Sequence, residues 1–208
     1  MLQLTKNTVI FISFLFLSHS ILLAGTKILI LGDSLSAGFH IAEKDSYPKL
    51  LEEYFQQQKM DVEILNASIS GSTSSSGLKR LKFALRAKPD VLVLALGAND
   101  GLRGQNLKVM QKNLRQIIQL AQKKKMKVLL VGMRIPPNYG KSYSKKFFQS
   151  FNLLAKKYKT HYMPFLLKDV GGRRMLNLND GLHPNAKGQI IMFRNILPYL
   201  TALLEEQQ

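Results

Sequence analysis

The chain contains no cysteine. No disulfide can staple it, so at 208 residues it must rely on one well-buried domain; it is too short for two ordinary ones. Acidic residues are scarce as well, with 13 Asp and Glu against 30 Lys and Arg, for a formal charge of +17. Such an excess favours anionic partners over long range: phospholipid head groups, phosphorylated carriers or nucleic acid. Lysines gather at 123–125 and 127, at 145 and 146, and at 156, 157 and 159, although each cluster also reads as a solvated basic face. Aromatics are few within them, Tyr143 and Tyr158 being the candidates, so specific nucleic-acid binding by base stacking is not favoured. There is no internal repeat or linker. Histidines number only four, which makes the search for a basic group a matter of elimination.

The first residues stand apart. Lys6 precedes a stretch from Val9 to Ala24 that is apolar except for Ser13, Ser18, His19 and Ser20, and Ala24 and Gly25 close it with small residues. That layout predicts a secretory signal peptide over residues 1–25, a domain over 26–208 and a periplasmic or secreted location. A retained membrane anchor is the competing reading, on a stretch somewhat short for a span. Thr26 stands where a lipoprotein signal would need cysteine, so lipid attachment there is not expected.

Beyond the leader, apolar runs alternate with amphipathic stretches. Strands are expected at Lys27 to Leu31, Val62 to Leu65, Val91 to Leu96, Val128 to Val131 and Tyr162 to Phe165. Helices are expected at Tyr47 to Phe55, Ser76 to Arg86, Leu107 to Lys123, Ser144 to Tyr158 and Ala186 to Leu203. Five alternations predict a parallel sheet with helices on both faces and right-handed crossovers. The segments after the first three strands, carrying Ser34, Gly71 and Asn99, would then share one edge, and they read as polar turns. In open α/β sheets that carboxyl edge is where ligands bind.

Gly32-Asp33-Ser34-Leu35 ends the first strand. Asp33 or Ser34 could simply cap the next turn or helix. Alternatively Ser34 is a nucleophile, which requires a base and an acid to orient that base. His19 lies in the leader, His40 has no evident acid, and His161 opens a strand. His183 has Asp180 three residues before it in Asp-Gly-Leu-His-Pro, a spacing that puts both on one side of a turn. An ordinary surface loop remains the alternative for that segment. Backbone N–H groups at Ser34 and Gly71 and the Asn99 amide could receive a developing oxyanion; as a turn residue and a cap, Gly71 and Asn99 also have structural readings.

Gly32-Asp33-Ser34-Leu35-Ser36, Gly71, Gly97-Ala98-Asn99-Asp100 and Asp180-Gly181-Leu182-His183-Pro184 occur in the order and approximate spacing of four sequence blocks. In this the chain resembles the SGNH (GDSL) hydrolase family, essentially throughout its length after the leader. The resemblance implies a flavodoxin-like three-layer α/β/α sandwich with a five-stranded parallel sheet, and no metal or cofactor. It implies Ser34 as nucleophile, His183 as base and Asp180 as its partner, with Ser34, Gly71 and Asn99 forming the oxyanion hole. It further implies acyl esters or thioesters as substrates, with Ile135 and Pro136 lining the acyl groove of what is expected to be a monomer. Ser68 stands where many members have glycine. The Gly-x-Ser-x-Gly elbow of α/β-hydrolases is missing, since Ser36 occupies its last position. A carbohydrate acetylesterase or arylesterase on the same scaffold is a rival, as is a catalytically silent flavodoxin-like binding protein.

Overall fold

The computed structural model describes residues 25–206, so the leader expected over residues 1–25 lies almost entirely outside the described residues. β1 (Thr26–Gly32) is the hub of the sheet. Its Ile28, Leu29, Ile30 and Leu31 are at most 1% exposed, because strands pair on both edges and helices cover both faces. The chain continues through short α1 (Ser34–Ala37) and α2 (Tyr47–Gln57) to β2 (Val62–Asn66), then α3 (Ser74–Ala84) to β3 (Val91–Ala95). Short α4 (Ala98–Leu102) and long α5 (Leu107–Lys123) lead to β4 (Lys127–Val131), α6 (Lys141–Tyr158) to β5 (His161–Met163), and α7 (Ala186–Glu205) closes the domain.

The five strands are all parallel, in the order β2-β1-β3-β4-β5. This is the flavodoxin-like order. β2, with its intermediate burial, and β5, cut off before Pro164, form the edges. α2 and α7 pack together in one layer, where Tyr47 N–H donates to Gln189 Oε1 at 2.9 Å. α3, α5 and α6 form the other, presenting Leu81, then Met110, Leu114 and Ile117, then Phe147 and Phe151 to the core. The i, i+4, i+7 spacing within α5 is the apolar stripe that its sequence predicts.

Two differences from the sequence reading bear on the site. The segments after β1 and β3 are not plain turns: Ser34 and Asn99 sit in the first turns of α1 and α4. α6 also begins at Lys141, earlier than its apolar periodicity indicates, because left-handed Gly140 (φ 91) ends the preceding loop. β1 and β3 are neighbours in register, Gly32 lying beside Ala95, and the chain winds away from them in opposite directions. Their carboxyl ends are therefore the topological switch point, where a crevice opens.

Candidate active site

Asp33 follows β1 directly, and its Oδ1 accepts the Leu35 N–H at 3.1 Å, so the capping reading holds for Asp33. That cap turns the chain sharply enough to stand Ser34 at the mouth of the crevice, 8% exposed. Asp33 itself is 1% exposed, and its Oδ2 has no hydrogen-bond partner. Burial pushes its carboxyl up to about 6, against the Leu35 N–H and the charges of His183 and Arg80. Arg80 holds the strand ends beneath, its Nη1 donating to the Gly32 carbonyl at 3.1 Å and the Ala67 carbonyl at 2.8 Å.

His183 reaches this serine from the loop before α7. His183 Nε2 lies 3.0 Å from Ser34 Oγ, and His183 Nδ1 lies 2.6 Å from Asp180 Oδ2. The loop is a tight hairpin: Leu178 N–H donates to the His183 carbonyl at 2.7 Å, and Asn177 bridges to Pro184. Asp180 Oδ1 accepts the N–H groups of Leu182 at 2.9 Å and His183 at 3.0 Å, so one carboxylate fixes both the backbone and the ring. Partial desolvation alone would raise the Asp180 pKa, but these bonds and the His183 charge outweigh it and hold the carboxyl down at about 2. The ring of Phe39 packs on the imidazole, with centroids 4.3 Å apart. The remaining described histidines stand elsewhere: His40 is exposed beside Phe39, and His161 lies 3.2 Å from Glu206 at the other end of the sheet.

Asn99 and Gly71 come from the ends of β3 and β2. Asn99 Nδ2 donates to the Ser72 carbonyl at 3.0 Å, and its second amide hydrogen remains for another acceptor. Gly71 adopts φ 75, and its carbonyl accepts from Arg103 Nη2 at 3.0 Å. Among the described residues neither Ser34 N–H nor Gly71 N–H donates to a protein acceptor. Asp100 joins these segments: 1% exposed, it accepts Ser74 N–H at 2.7 Å and Ser74 Oγ–H at 2.6 Å. Sequence reasoning assigned no role to Asp100 or Phe39, although both lie beside residues it singled out.

A groove of about 460 Å³ runs from Ser34, Asn99 and His183 over an apolar floor that includes Leu102, Met133, Ile135, Phe165 and Leu167. Ile135 and Pro136 line it; Asp180 and Gly71 do not, the first standing behind His183 and the second in the turn that Asn99 and Arg103 hold. Arg134 flanks the groove with its guanidinium 4.4 Å from the Phe148 ring centre. Among the described residues no group of three His, Asp or Glu side chains could hold a metal ion.

The model of the GDSL-like lipase/acylhydrolase family matches residues 30–190, most of the chain. The chain belongs to that family. An arylesterase of Vibrio mimicus is 41% identical over 80% of this chain and 84% of its own length. The thioesterase 1/protease 1/lysophospholipase L1 of Escherichia coli K12 is 38% identical over 80% and 79%. The crystal structure of the psychrotrophic esterase EstA from Pseudoalteromonas, inhibited by monoethylphosphonate, superposes with a TM-score of 0.83 at 38% identity, covering 86% of this chain and 99% of that one. The GDSL-like chain is a serine hydrolase with the SGNH fold.

Proposed function

We propose that the protein hydrolyses acyl esters and thioesters through an acyl-Ser34 intermediate. The observation that carries this is the continuous line from Ser34 Oγ to His183 Nε2 at 3.0 Å and from His183 Nδ1 to Asp180 Oδ2 at 2.6 Å. In this reading Ser34 Oγ attacks the substrate carbonyl carbon while His183 Nε2 takes the hydroxyl proton. Asp180 accepts from Nδ1, selects that tautomer and stabilises the imidazolium. The carbonyl oxygen gains the negative charge and meets Ser34 N–H, Gly71 N–H and the Asn99 amide. Collapse expels the alcohol or thiol, which His183 protonates. Water then attacks the acyl-serine by the same steps, releasing the acid and restoring the Ser34 hydroxyl.

The apolar floor of the groove supports fatty acyl chains over acetyl groups, with Ile135 and Pro136 beside the chain. Lysophospholipids, acyl-CoA-like thioesters and short to medium fatty esters fit that description. Every catalytic group comes from one chain, so a monomer suffices. Export by the leader, with the domain over residues 26–208, and attraction to anionic surfaces belong to the same proposal. Fluorophosphonate labelling with an ester and thioester panel tests it: Ser34→Ala should lose labelling and nitrophenyl-ester hydrolysis. Full activity in that variant overturns the role of Ser34, and strict preference for acetylated sugars overturns the acyl-chain reading.

A further inference from the structure

Each strand begins at the pole opposite the groove, and four helix-to-strand turns cross that pole. Each of these turns holds a lysine in the left-handed conformation: Lys59 (φ 55) before β2, Lys88 (φ 53) before β3, Lys125 (φ 62) before β4 and Lys159 (φ 50) before β5. A Cβ atom disfavours this conformation, and glycine is the residue on which helices most readily end. At the catalytic rim the same chain does use glycine for left-handed turns, at Gly38, Gly71, Gly97 and Gly181 among others, with His40 and Asp169 the exceptions. The helix dipole favours cations at a C-terminus, yet Lys123, Lys124, Lys156 and Lys157 already supply them without a left-handed backbone. Conformation therefore gives no reason for lysine at all four turns, whereas charge on this face does.

The four lysines are exposed, and among the described residues none pairs with a carboxylate. Nearby acids are engaged elsewhere: Glu63 pairs with Lys27 at 3.3 Å, Asp90 accepts Lys27 N–H at 2.9 Å, and Glu206 lies 3.2 Å from His161 and 4.0 Å from Lys127. Asp61, Glu205 and Asp90, whose bond to a backbone amide leaves its charge in place, stand against the four lysines and the runs 123–124 and 156–157. Exposed apolar side chains flank the charge, with Met60 36%, Phe83 67% and Leu153 61% exposed. The apolar stretch from Val9 to Ala24 joins the domain at Gly25, which leads into β1 at this same pole.

We propose that this pole docks on an anionic phospholipid bilayer, leaving the catalytic groove at the far end of the sheet open to water. Lysines above an anionic leaflet are attracted within a Debye length of it, and the flanking apolar side chains suit an interface. A bilayer fits better than nucleic acid because rings are few among these lysines, and those present are already engaged, Phe83 by Arg86 at 4.9 Å and Tyr158 by Lys157 at 5.9 Å. A groove turned away from the membrane draws on substrates that diffuse to it, such as single lysolipids or short esters, and not on chains packed in the bilayer. That corollary rests on the serine-hydrolase reading; the docking itself does not.

The chain from Gly25 is suitable for the test, since among the described residues it contains every strand and the whole core cluster. It should sediment with phosphatidylglycerol-rich vesicles at low ionic strength, leave phosphatidylcholine vesicles alone and be released by salt. The variant Lys59→Gly/Lys88→Gly/Lys125→Gly/Lys159→Gly has the residue that suits each backbone, so its melting temperature should hold or rise. Its partition onto anionic vesicles should fall at least about tenfold, with soluble-ester turnover unchanged. Removing an equal charge at the rim, with Lys44, Lys108, Lys141 and Lys168 changed to Gln, should weaken binding much less. The proposal is overturned by vesicle binding that survives the glycine variant, by equal loss in the rim variant, by equal binding to neutral vesicles, or by single-stranded RNA outcompeting vesicles. Loss of soluble-ester turnover on docking overturns the orientation. Fluorophosphonate labelling of vesicle-free protein reports separately on the serine-hydrolase reading.

Discussion

Replacing Asp33 with asparagine should make the protein more stable at neutral pH and less active. Asp33 is 1% exposed, its Oδ1 is engaged by Leu35 N–H at 3.1 Å, and its Oδ2 is unpartnered. Burial raises its pKa from 3.8 to about 6, more than the Leu35 N–H and the His183 and Arg80 charges can offset. A carboxyl that holds its proton more tightly when folded favours the native state at low pH. That contribution is complete below 3.8 and is lost as pH rises through about 6. Raising the carboxyl from 3.8 to about 6 corresponds to roughly 3 kcal/mol of native-state destabilisation at pH 8. Asparagine keeps the acceptor for Leu35 and removes the charge, but it buries an unpaired amide. The expected gain is therefore about 1–3 kcal/mol at pH 8. Urea unfolding of variant and parent at pH 4 and pH 8 measures it, and the variant-minus-parent difference cancels the titrating groups that Asp33 does not touch. Activity should move the opposite way, because the carboxylate favours the imidazolium of His183; kcat/KM for a nitrophenyl ester should fall roughly tenfold. An Asp33→Asn protein no more stable than its parent at pH 8, or equally favoured at both pH values, refutes the reasoning.

Asp180 has the opposite linkage: its carboxyl is held down at about 2, so its contribution is present above 3.8 and lost as pH falls through about 2. Exposure keeps that contribution small. Asp180→Asn should lower kcat by about 10²–10⁴ with little change in melting temperature, read by parallel kinetics and thermal melts. At Gly132 an added Cβ would come 2.3 Å from the Pro164 carbonyl oxygen, a backbone atom that cannot step aside, so Gly132→Ala should cost about 1–3 kcal/mol or more in urea unfolding. Ile135 is 8% exposed beside the groove; Ile135→Ala should lose about 2–4 kcal/mol of stability and raise the ratio of decanoyl- to butyryl-ester hydrolysis. An unchanged ratio would remove Ile135 from chain-length selection.

Much of the architecture is determined by the order of residues alone. Ile28 to Leu31 and Val91 to Ala95 are apolar without a break, which suits only strands covered on both faces, and the stripe of α5 fixes its bounds at Leu107 and Lys123. The pairing of Asp180 with His183 is similarly local, since three residues and one hairpin bring them together. Short α1 and α4 are different: four or five residues show no periodicity, and although Asp33 is a capping candidate in the sequence, only its bond to Leu35 and the φ of 118 at Gly97 establish that helices begin there. The 3.0 Å approach of His183 to Ser34 spans 149 residues of separation and depends on the sheet order that lays the β5–α7 connection over β1. Tertiary packing also decides the unusual state of Asp33, because burial is a property of its surroundings and not of the dipeptide. Local sequence chose the chemical groups; the winding of the sheet decided which of them touch, because contact across the chain is won by long-range packing.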